Sequence, residues 1–221
     1  MSQIAVITGA NRGIGLELTK HYVEMGWKVY AVCRQASPAL EELDVMVINN
    51  IDVSDAESVA QLSKALAPYE IDLLINNAGI LRDEQLGCLD YQSIEDQFVV
   101  NTLGPLRVTE ALLGNMSKGS KIALVTSRMG SIADNSSGGR YGYRMSKAAL
   151  NAAGKSLSID LKPRGIAVAI LHPGYVQTEM VGGRGNITAQ EAAFSLIERI
   201  NALSISTTGT FWHSNGEELP W

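Results

Sequence analysis

The chain has 221 residues, 46% of them hydrophobic and 19% charged, and this balance excludes disordered and membrane-embedded classes of protein. This length fits one well-buried domain, which we expect to span residues 1–221. The net charge of −5 argues against a nucleic-acid-binding or membrane-binding surface, because either would need a concentrated basic patch.

Short apolar runs rich in β-branched residues alternate along the chain with longer stretches of helical spacing. The runs are continuously apolar, which is typical of strands buried on both faces. We predict strands at Ile4–Thr8, Val29–Cys33, Val45–Asn50, Leu73–Asn76, Lys121–Thr126 and Ile166–Leu171. We predict helices at Ile14–Met25, Ala56–Ala67, Ser93–Met116, Tyr143–Leu161 and Ala189–Leu203. This βαβα alternation predicts a single-domain, Rossmann-type doubly wound α/β sheet of about seven parallel strands flanked by helices.

A glycine-rich turn follows the first predicted strand, with a GxxxGxG spacing that ends where a helix begins. Glycines permit a tight turn and close backbone approach, and a helix N-terminus offers free N–H groups to a pyrophosphate. The turn therefore predicts a dinucleotide cradle, with a tight connection that binds nothing as the alternative. Its candidate cofactor-binding residues are Gly9, Asn11, Arg12, Gly13, Ile14 and Gly15.

The residues after the second and third predicted strands bear on the choice of cofactor. Sites for NAD(H) commonly place an acidic residue about 20 residues beyond the glycines, where it holds the ribose 2′-hydroxyl. Arg34 stands there instead, and both it and Arg12 could pair with a 2′-phosphate, unless both are simply solvated. The sequence therefore favours NADP(H) and leaves NAD(H) open. Asp52 and Val53 are further candidates, since Asp52 could either bind the adenine amino group or cap the next helix, with Ser54 or Asp55 as rival caps.

Tyr143 and Lys147 stand four positions apart at the start of a predicted helix, so their side chains share one face. An ammonium group stabilises a nearby phenolate, so we expect Lys147 to lower the pKa of Tyr143 from about 10 towards the range of a working acid or base. Ser127 follows the strand Lys121–Thr126, where its hydroxyl could hold a substrate carbonyl. Chance helical spacing would also give such a pair, and its placement after Ser127 is what makes it a catalytic candidate.

Asn101 precedes Pro105 by four positions within the predicted helix Ser93–Met116. Because proline has no N–H, the carbonyl of Asn101 loses its helical partner and can accept a hydrogen bond from water. This spacing predicts a kinked helix with an exposed acceptor; the alternative is that Gly104 and Pro105 serve only to bend the helix.

These motifs occur in the order seen in the short-chain dehydrogenase/reductase family, which the sequence resembles over essentially its whole length. The shared motifs are the turn Thr8–Gly15, Asn76-Asn77-Ala78-Gly79, Asn101, Ser127, Tyr143-x-x-x-Lys147 and Pro173-Gly174. Within the family the sequence is most similar to the carbonyl-reductase-like branch that contains Sniffer and bacterial C-factor, in the segments His172–Thr178 and Gly216–Trp221.

The resemblance implies an oxidoreductase that transfers a hydride between NADP(H) and a carbonyl or alcohol substrate, with reduction of an aldehyde or ketone expected. It implies that Tyr143 is the acid/base and that Lys147 lowers its pKa and binds the nicotinamide ribose. Ser127 would polarise the carbonyl, and Asn101 would support a proton-relay water. The implied cofactor contacts in the later part of the chain are Asn77, Ala78, Gly79, Tyr143, Lys147, Pro173, Gly174, Val176 and Thr178. The alternative is an NADP(H)-binding sensor or C-factor-like signalling protein with little turnover.

One spacing departs from the family pattern. Ser127 and Tyr143 are 16 positions apart, whereas the family commonly has about three fewer, and loops tolerate such insertions. We expect the extra residues in Asp134–Arg140, over the substrate, so the identity of the substrate stays open. Tyr141 is a poorer catalytic candidate because Met145 stands four positions after it, and the seven-residue spacing of the enoyl-reductase branch falls on an arginine.

The two cysteines, Cys33 and Cys88, lie far apart, so we expect neither a disulfide framework nor a thiolate metal site, and we interpret both as buried small apolar side chains. The three histidines are dispersed, and no metal site is predicted. The sequence shows no secretory leader and no apolar stretch of the ~18 residues that a membrane span needs, which predicts a cytoplasmic protein.

Two further expectations concern surfaces. Met129, Tyr175 and Met180 are interpreted either as an apolar wall for the substrate or as core residues. The family resemblance implies a homo-oligomer, a dimer or tetramer, associated through the helices Ser93–Met116 and Tyr143–Leu161.

Overall fold

The computed structural model describes residues 2–221. Its strands are β1 (Ile4–Thr8), β2 (Lys28–Val32), β3 (Met46–Ile48), β4 (Leu73–Asn76), β5 (Lys121–Val125), β6 (Ala167–His172), β7 (Val176–Gln177), β8 (Ile187–Thr188) and β9 (Phe211–His213). Seven of them form one parallel sheet in the order β3-β2-β1-β4-β5-β6-β9, while β7 and β8 pair only with each other. The predicted doubly wound α/β fold with seven parallel strands is confirmed.

Helices cover both faces of this sheet. They are α1 (Gly13–Glu24), α2 (Pro38–Glu41), α3 (Ala56–Leu66), α4 (Tyr91–Phe98), α5 (Gly104–Leu112), α6 (Tyr141–Leu161) and α7 (Ala189–Ala202). One buried apolar cluster packs α3, α5 and α6 against one face, and a second packs α1 and α7 against the other. Within residues 2–221, no helix combines the length and apolarity needed to cross a membrane.

Most predicted elements match the observed ones closely, but one strand is shorter than predicted and several short elements, including β7 and β8, are not predicted. β3 has only three residues because it is an edge strand that pairs with β2 alone, and the chain turns away at Asn50, whose φ is +62°. The sequence predicts about seven strands but gives positions for only six. The position of the seventh, β9, is not predicted because its three residues include Trp212 and His213 and form no apolar run. Helix α2 was missed because it spans only four residues, started by the Ser37 cap and Pro38.

The predicted helix Ser93–Met116 is interrupted rather than merely bent. A π-helical turn, Val99–Leu103, separates α4 from α5, and the Gly104 N–H donates to the carbonyl of Val99, five residues back. Pro105 cannot donate to its own helical acceptor, so the backbone widens by one residue before α5 resumes. The predicted kink is therefore a π-turn, and Asn101 lies inside it, but the residue is fully buried, so the expectation of an exposed acceptor is wrong.

The order of the strands fixes where a ligand can bind. From β1 the chain builds outward through β2 to β3, then crosses to β4 on the other side of β1. Connections therefore leave β1 and β4 in opposite directions, and a crevice opens beyond their carboxyl ends.

Candidate active site

A cleft of about 660 Å³ opens at this switch point. Twelve of the predicted cofactor residues line it: Gly9, Asn11, Arg12, Gly13, Ile14, Arg34, Asp52, Val53, Asn77, Ala78, Gly79 and Thr178. The other six predicted residues, Gly15, Tyr143, Lys147, Pro173, Gly174 and Val176, are not part of its wall. Eight further wall residues are not among the predicted cofactor contacts, although Met180 is one of the residues interpreted above as a substrate wall: Val32, Cys33, Gln35, Ile51, Ile80, Val100, Glu179 and Met180. Most of these adjoin a predicted residue at the end of a strand, and that adjacency was the available signal.

The glycine turn has the geometry of a phosphate cradle. Gly9 and Gly13 have φ values of +66° and +54°, which favour glycine. Gly15 lies behind the turn, where an added Cβ would collide with the Gly9 carbonyl oxygen. No side chain caps the N-terminus of α1 and no acidic residue stands in its first turn, so its N–H groups remain available to a pyrophosphate.

The floor of the cleft is tied together by Thr8 and Asn77. The Thr8 hydroxyl accepts the N–H groups of Asn77 and Ala78, both at 3.1 Å, while the Asn77 amide donates to the carbonyls of Thr8 and Gly9. These bonds hold the end of β4 against the end of β1, so the two halves of the cleft are fixed relative to each other.

Charged residues lie around the mouth of the cleft. Burial alone would raise the pKa of Asp52, but hydrogen bonds from Ser54 and the charge of Arg34 outweigh it and lower the pKa. Asp55, and not Asp52, caps α3, which settles the rival caps in favour of Asp55. Arg12 forms an exposed ion pair with Glu179, which follows Thr178 on the opposite rim.

Ser127, Tyr143 and Lys147 come together at the carboxyl end of β5. Ser127 starts the 3₁₀ segment Arg128–Gly130, and this segment rests directly on the backbone of α6. The Lys147 ammonium donates to the Val125 carbonyl at 2.9 Å and lies 5.8 Å from the centre of the Tyr143 ring. All three side chains are buried.

Burial dominates the electrostatics of this cluster. It raises the pKa of Tyr143, against opposing effects from the Ser127 side chain and the charge of Arg140. It also lowers the pKa of Lys147 to about 8. The expectation that Lys147 would lower the phenol pKa is therefore wrong for the chain by itself, because both groups are withdrawn from water.

Asn101 reaches the site from the π-turn. Its Oδ1 accepts the Ile80 N–H at 2.8 Å, and its Nδ2 donates to the Ile80 carbonyl and to the Ser146 hydroxyl. Gly79 fills the gap between Asn101 and Lys147, since a Cβ there would lie 3.1 Å from Asn101 Oδ1 and 3.7 Å from Lys147 Nζ. The structure thus places the predicted Asn101 next to Lys147, with its side chain committed to the Ile80 backbone.

The segment after β6 lines the far side of the site. Gly174 has a φ of +97°, and the Pro173 carbonyl accepts the Ser214 hydroxyl. Val176 is buried in β7, whereas the Thr178 methyl group would be 3.3 Å from a Cβ at Gly13. The segment therefore meets the glycine turn through Thr178.

The segment 134–140, where we expect the extra residues, is exposed along most of its length and is held at both ends by side-chain contacts. Asp134 forms an ion pair with Arg128, and the Arg144 guanidinium donates to the carbonyls of Gly138 and Gly139 and to the Ser137 hydroxyl. The segment therefore has a defined path beside the cluster of Ser127, Tyr143 and Lys147.

The two cysteines and His172 differ in their surroundings. Cys33 is buried as expected, but Cys88 is exposed, because it lies in the connection before α4, outside both apolar clusters. His172 is the last residue of β6, where its ring meets that of His213, and burial lowers its pKa to about 3. Among residues 2–221, no group of three or more His, Cys, Asp or Glu side chains is arranged to hold a metal ion.

Residues 3–187 match the short chain dehydrogenase family. The chain belongs to this family. Its relatives include 1-hydroxy-2-glutathionyl-2-methyl-3-butene dehydrogenase of Rhodococcus sp. (strain AD45), 38% identical over the full length of both chains. The C-signal protein of Myxococcus xanthus is 46% identical over 154 positions, which cover 68% of this chain and 93% of that protein.

Among solved structures, the NADPH-bound carbonyl reductase from chicken fatty liver matches with a TM-score of 0.90 and 28% identity, over 100% of this chain and 99% of that one. Together with the C-signal match, this likeness confirms the predicted branch of the family. The protein is an oxidoreductase of the short-chain dehydrogenase type.

Proposed function

We propose that this protein reduces the carbonyl group of an aldehyde or ketone with NADPH. One observation carries the proposal: Ser127, Tyr143 and Lys147 meet beside a cleft whose adenosine side presents Arg34 where an NAD(H) site would have an acidic residue. The NADPH-bound state of the chicken carbonyl reductase, which shares this fold, supports the same cofactor.

The residues of the cleft fit this cofactor. The pyrophosphate would bind at the uncapped start of α1, between Gly9 and Gly13, and the 2′-phosphate would pair with Arg34 and, once released from Glu179, with Arg12. The remaining contacts would come from Asn11, Ile14, Asp52, Val53, Asn77, Ala78, Gly79, Pro173, Gly174, Val176 and Thr178, with Gly15 supporting the turn from behind.

When bound, NADPH supplies the hydride for the carbonyl carbon. Ser127 would donate a hydrogen bond to the carbonyl oxygen, and Tyr143 would deliver the proton to it. The raised pKa keeps the Tyr143 phenol protonated near neutral pH, as a proton donor requires, and the Lys147 ammonium beside it would hold the nicotinamide ribose and replace the proton. Asn101 would anchor a water molecule that continues this proton path.

The substrate would carry an apolar part. Tyr175 and Met180 are both exposed on the segment that follows β6, and Met129 lies two residues after Ser127, so the three form a candidate apolar wall. The Rhodococcus relative acts, by its name, on a glutathione conjugate. A substrate panel should therefore include aliphatic and aromatic aldehydes, ketones and glutathione-conjugated alcohols.

The direct test is substitution of Tyr143 by Phe. Loss of the phenolic proton should lower kcat by about 10²- to 10⁴-fold, while the dissociation constant for NADPH stays within about twofold. Turnover is followed as NADPH absorbance and binding as NADPH fluorescence. Tyr141→Phe is the matched control, since it removes the same hydroxyl two residues earlier on α6 and should keep full activity. Retained turnover in Tyr143→Phe would contradict the assignment.

A second candidate is a signalling protein that binds NADP(H) with little turnover, which the 46% identity to C-signal favours. The complete set of Ser127, Tyr143, Lys147 and Asn101 speaks against it, because a sensor needs no proton path. Tight NADPH binding with no turnover across the substrate panel would favour this candidate over the reductase.

We further propose that residues 1–221 act as one catalytic domain in the cytoplasm, and that the protein forms a dimer or tetramer. The interface would lie on the outer surfaces of α4, α5 and α6, where Tyr91, Phe98 and Met145 are exposed. Sedimentation analysis of the purified chain tests this assembly.

A further inference from the structure

A buried carboxylate that the sequence reasoning did not single out lies directly behind the catalytic helix. Glu84, in the connection from β4 to α4, is 3% exposed. Its Oε1 accepts the Ser93 hydroxyl at 2.7 Å and the Gln97 side-chain amide, and its Oε2 accepts the Gly142 N–H at 3.1 Å. A buried carboxylate is costly unless it is fully hydrogen-bonded, and here every partner is a donor.

The donors belong to two different helices. Ser93 and Gln97 lie on α4, whereas Gly142 lies in the first turn of α6. The backbone of Glu84 adds a further link, since its carbonyl accepts the Arg140 N–H at 3.0 Å. Glu84 therefore joins the start of α6 to α4 through both its side chain and its backbone.

The network has a fixed direction. The Oε1 atom of Gln97 accepts the Arg82 N–H at 2.9 Å, so the other end of that amide must present its NH₂ to Glu84. Gln97 is fully buried, which leaves it no alternative partner in solvent. Hydrogen bonds therefore run from the Arg82 backbone through Gln97 to Glu84, where they meet the N–H of Gly142.

The first turn of α6 depends on this contact. The residue that precedes it, Arg140, has a φ of +50° and provides no side-chain cap. A Cβ on Gly142 would lie 2.6 Å from the Gln97 amide nitrogen and 3.0 Å from the Cα of Ile94, so α6 touches α4 without any intervening side chain. Tyr143 is the next residue along the chain.

We propose that Glu84 is a positioning residue for Tyr143, whose carboxylate fixes the first turn of α6 and thereby the location of the phenol relative to Ser127. This inference rests on the proposed reductase function. In Glu84→Gln, one carboxylate oxygen is replaced by an NH₂ group, which is a donor. Depending on how the amide is turned, this NH₂ faces either the NH₂ of Gln97 or the N–H of Gly142, so the start of α6 must shift. Displacements on the order of 1 Å can reduce turnover by about 10²-fold.

The test compares Glu84→Gln with the exchange variant Glu84→Gln/Gln97→Glu. In the exchange variant, the carboxylate introduced at position 97 accepts both the Arg82 N–H and the NH₂ of the amide introduced at position 84. The oxygen of that new amide accepts the Gly142 N–H, and the Ser93 hydroxyl can turn to accept from its NH₂, so each buried group again has a partner.

We expect Glu84→Gln to lower kcat at least about tenfold at an unchanged dissociation constant for NADPH, and the exchange to recover most of that loss. Rates are expressed per NADPH-binding site, so that misfolded protein does not contribute. Glu198→Gln is the matched control, because it makes the same chemical change at an exposed position of α7, on the other face of the sheet, and should keep wild-type kcat. Unchanged kcat in Glu84→Gln, or failure of the exchange to restore it, would overturn the proposal.

Amide hydrogen exchange in the first turn of α6 gives a readout independent of turnover. We expect it to speed up in Glu84→Gln and to recover in the exchange variant. If the wild type itself turns over no carbonyl, the proposed function fails. The amide hydrogen-exchange rates still decide whether Glu84 fixes the first turn of α6.

Discussion

Lys147 brings a positive charge into a buried site, and this has a consequence for stability. Its pKa is lowered by burial to about 8, from about 10.5 in the unfolded chain. Between these values the unfolded state binds more protons than the folded state, so the contribution of Lys147 to the free energy of unfolding rises with pH across this window. Below pH 8 both states are protonated, and the full penalty of the buried charge applies.

We therefore expect the free energy of unfolding of the wild type, relative to that of Lys147→Met, to rise by roughly 3 kcal/mol between pH 8 and 10.5. Urea denaturation of both proteins at several pH values measures this difference. Lys155→Met, an exposed position on the same helix, should give a curve parallel to the wild type. A parallel curve from Lys147→Met as well would contradict the buried charge.

Arg34 should decide the choice between cofactors. In Arg34→Asp, a charge-assisted contact to the 2′-phosphate is replaced by repulsion, so the ratio of kcat/KM for NADPH over NADH should fall roughly ten- to a hundredfold. Steady-state kinetics with both cofactors measures the ratio. Lys162→Asp makes the same charge change after the C-terminus of α6, at the opposite edge of the sheet, and should leave the ratio unchanged. An unaltered ratio in Arg34→Asp would rule out this role.

At the scale of single residues, the sequence predicted which side chains lie together better than it predicted how burial affects their pKa values. The placement of Tyr143, Lys147 and Ser127 could be anticipated, because all three follow from strand ends and helical spacing. The direction of the Tyr143 pKa could not, since it depends on burial that only the packed fold creates. The role of Glu84 could not be predicted for a related reason. Its hydrogen-bond partners come together only when α4 packs against α6; they are Ser93, Gln97 and Gly142.

The contact between the 3₁₀ segment Arg128–Gly130 and α6 sets how closely Ser127 approaches that helix. A Cβ on Gly130 would lie 2.6 Å from the carbonyl carbon of Lys147 and 2.9 Å from the Ala148 nitrogen, both backbone atoms that cannot move aside. We expect Gly130→Ala to destabilise the fold by about 1–3 kcal/mol and to lower kcat.

Thermal unfolding and turnover measure the two effects. Gly114→Ala is the control, because no heavy atom lies within 4 Å of its added methyl group, and it should be neutral or slightly stabilising. Wild-type stability and turnover in Gly130→Ala would show that this contact is not tight.

Among the elements, long periodic segments were predicted well and short or interrupted ones poorly. Helix α6 and strands β1 and β4 follow directly from their apolar patterns. The π-turn at Val99–Leu103 was foreseen only as a kink, because Pro105 reports a missing donor but not how the backbone compensates. Strand β9 carries too few apolar residues for its pattern to stand out, and it is fixed instead by pairing with β6.

Over the whole molecule, the cofactor should bridge the two halves of the sheet that meet at β1 and β4. Binding to the folded state alone stabilises it, by about 2.7 kcal/mol at a ligand concentration of 100 times the dissociation constant. For a chain of this size, that corresponds to a rise in Tm of roughly 5–10 °C.

We expect NADPH to raise Tm more than NADH at the same concentration, and 2′,5′-ADP more than 5′-AMP, because each first member carries the 2′-phosphate. Differential scanning fluorimetry measures the shifts. Equal shifts within each pair would contradict selection by the 2′-phosphate.

The close backbone contacts that glycines allow around α6 also limit which substitutions this protein can accept during evolution. An added side chain would collide with α6 at Gly130, with α4 at Gly142 and with the sheet at Gly154. Substitutions at these glycines should therefore be selected against, whatever the substrate. The segment 134–140 is exposed along most of its length instead; an added side chain at Gly138 or Gly139 would meet open space, although their φ values of +63° and +64° still favour glycine at those two positions. Lineages that acquire new substrates are therefore expected to vary in that segment, while the glycines that pack against or within α6 stay unchanged.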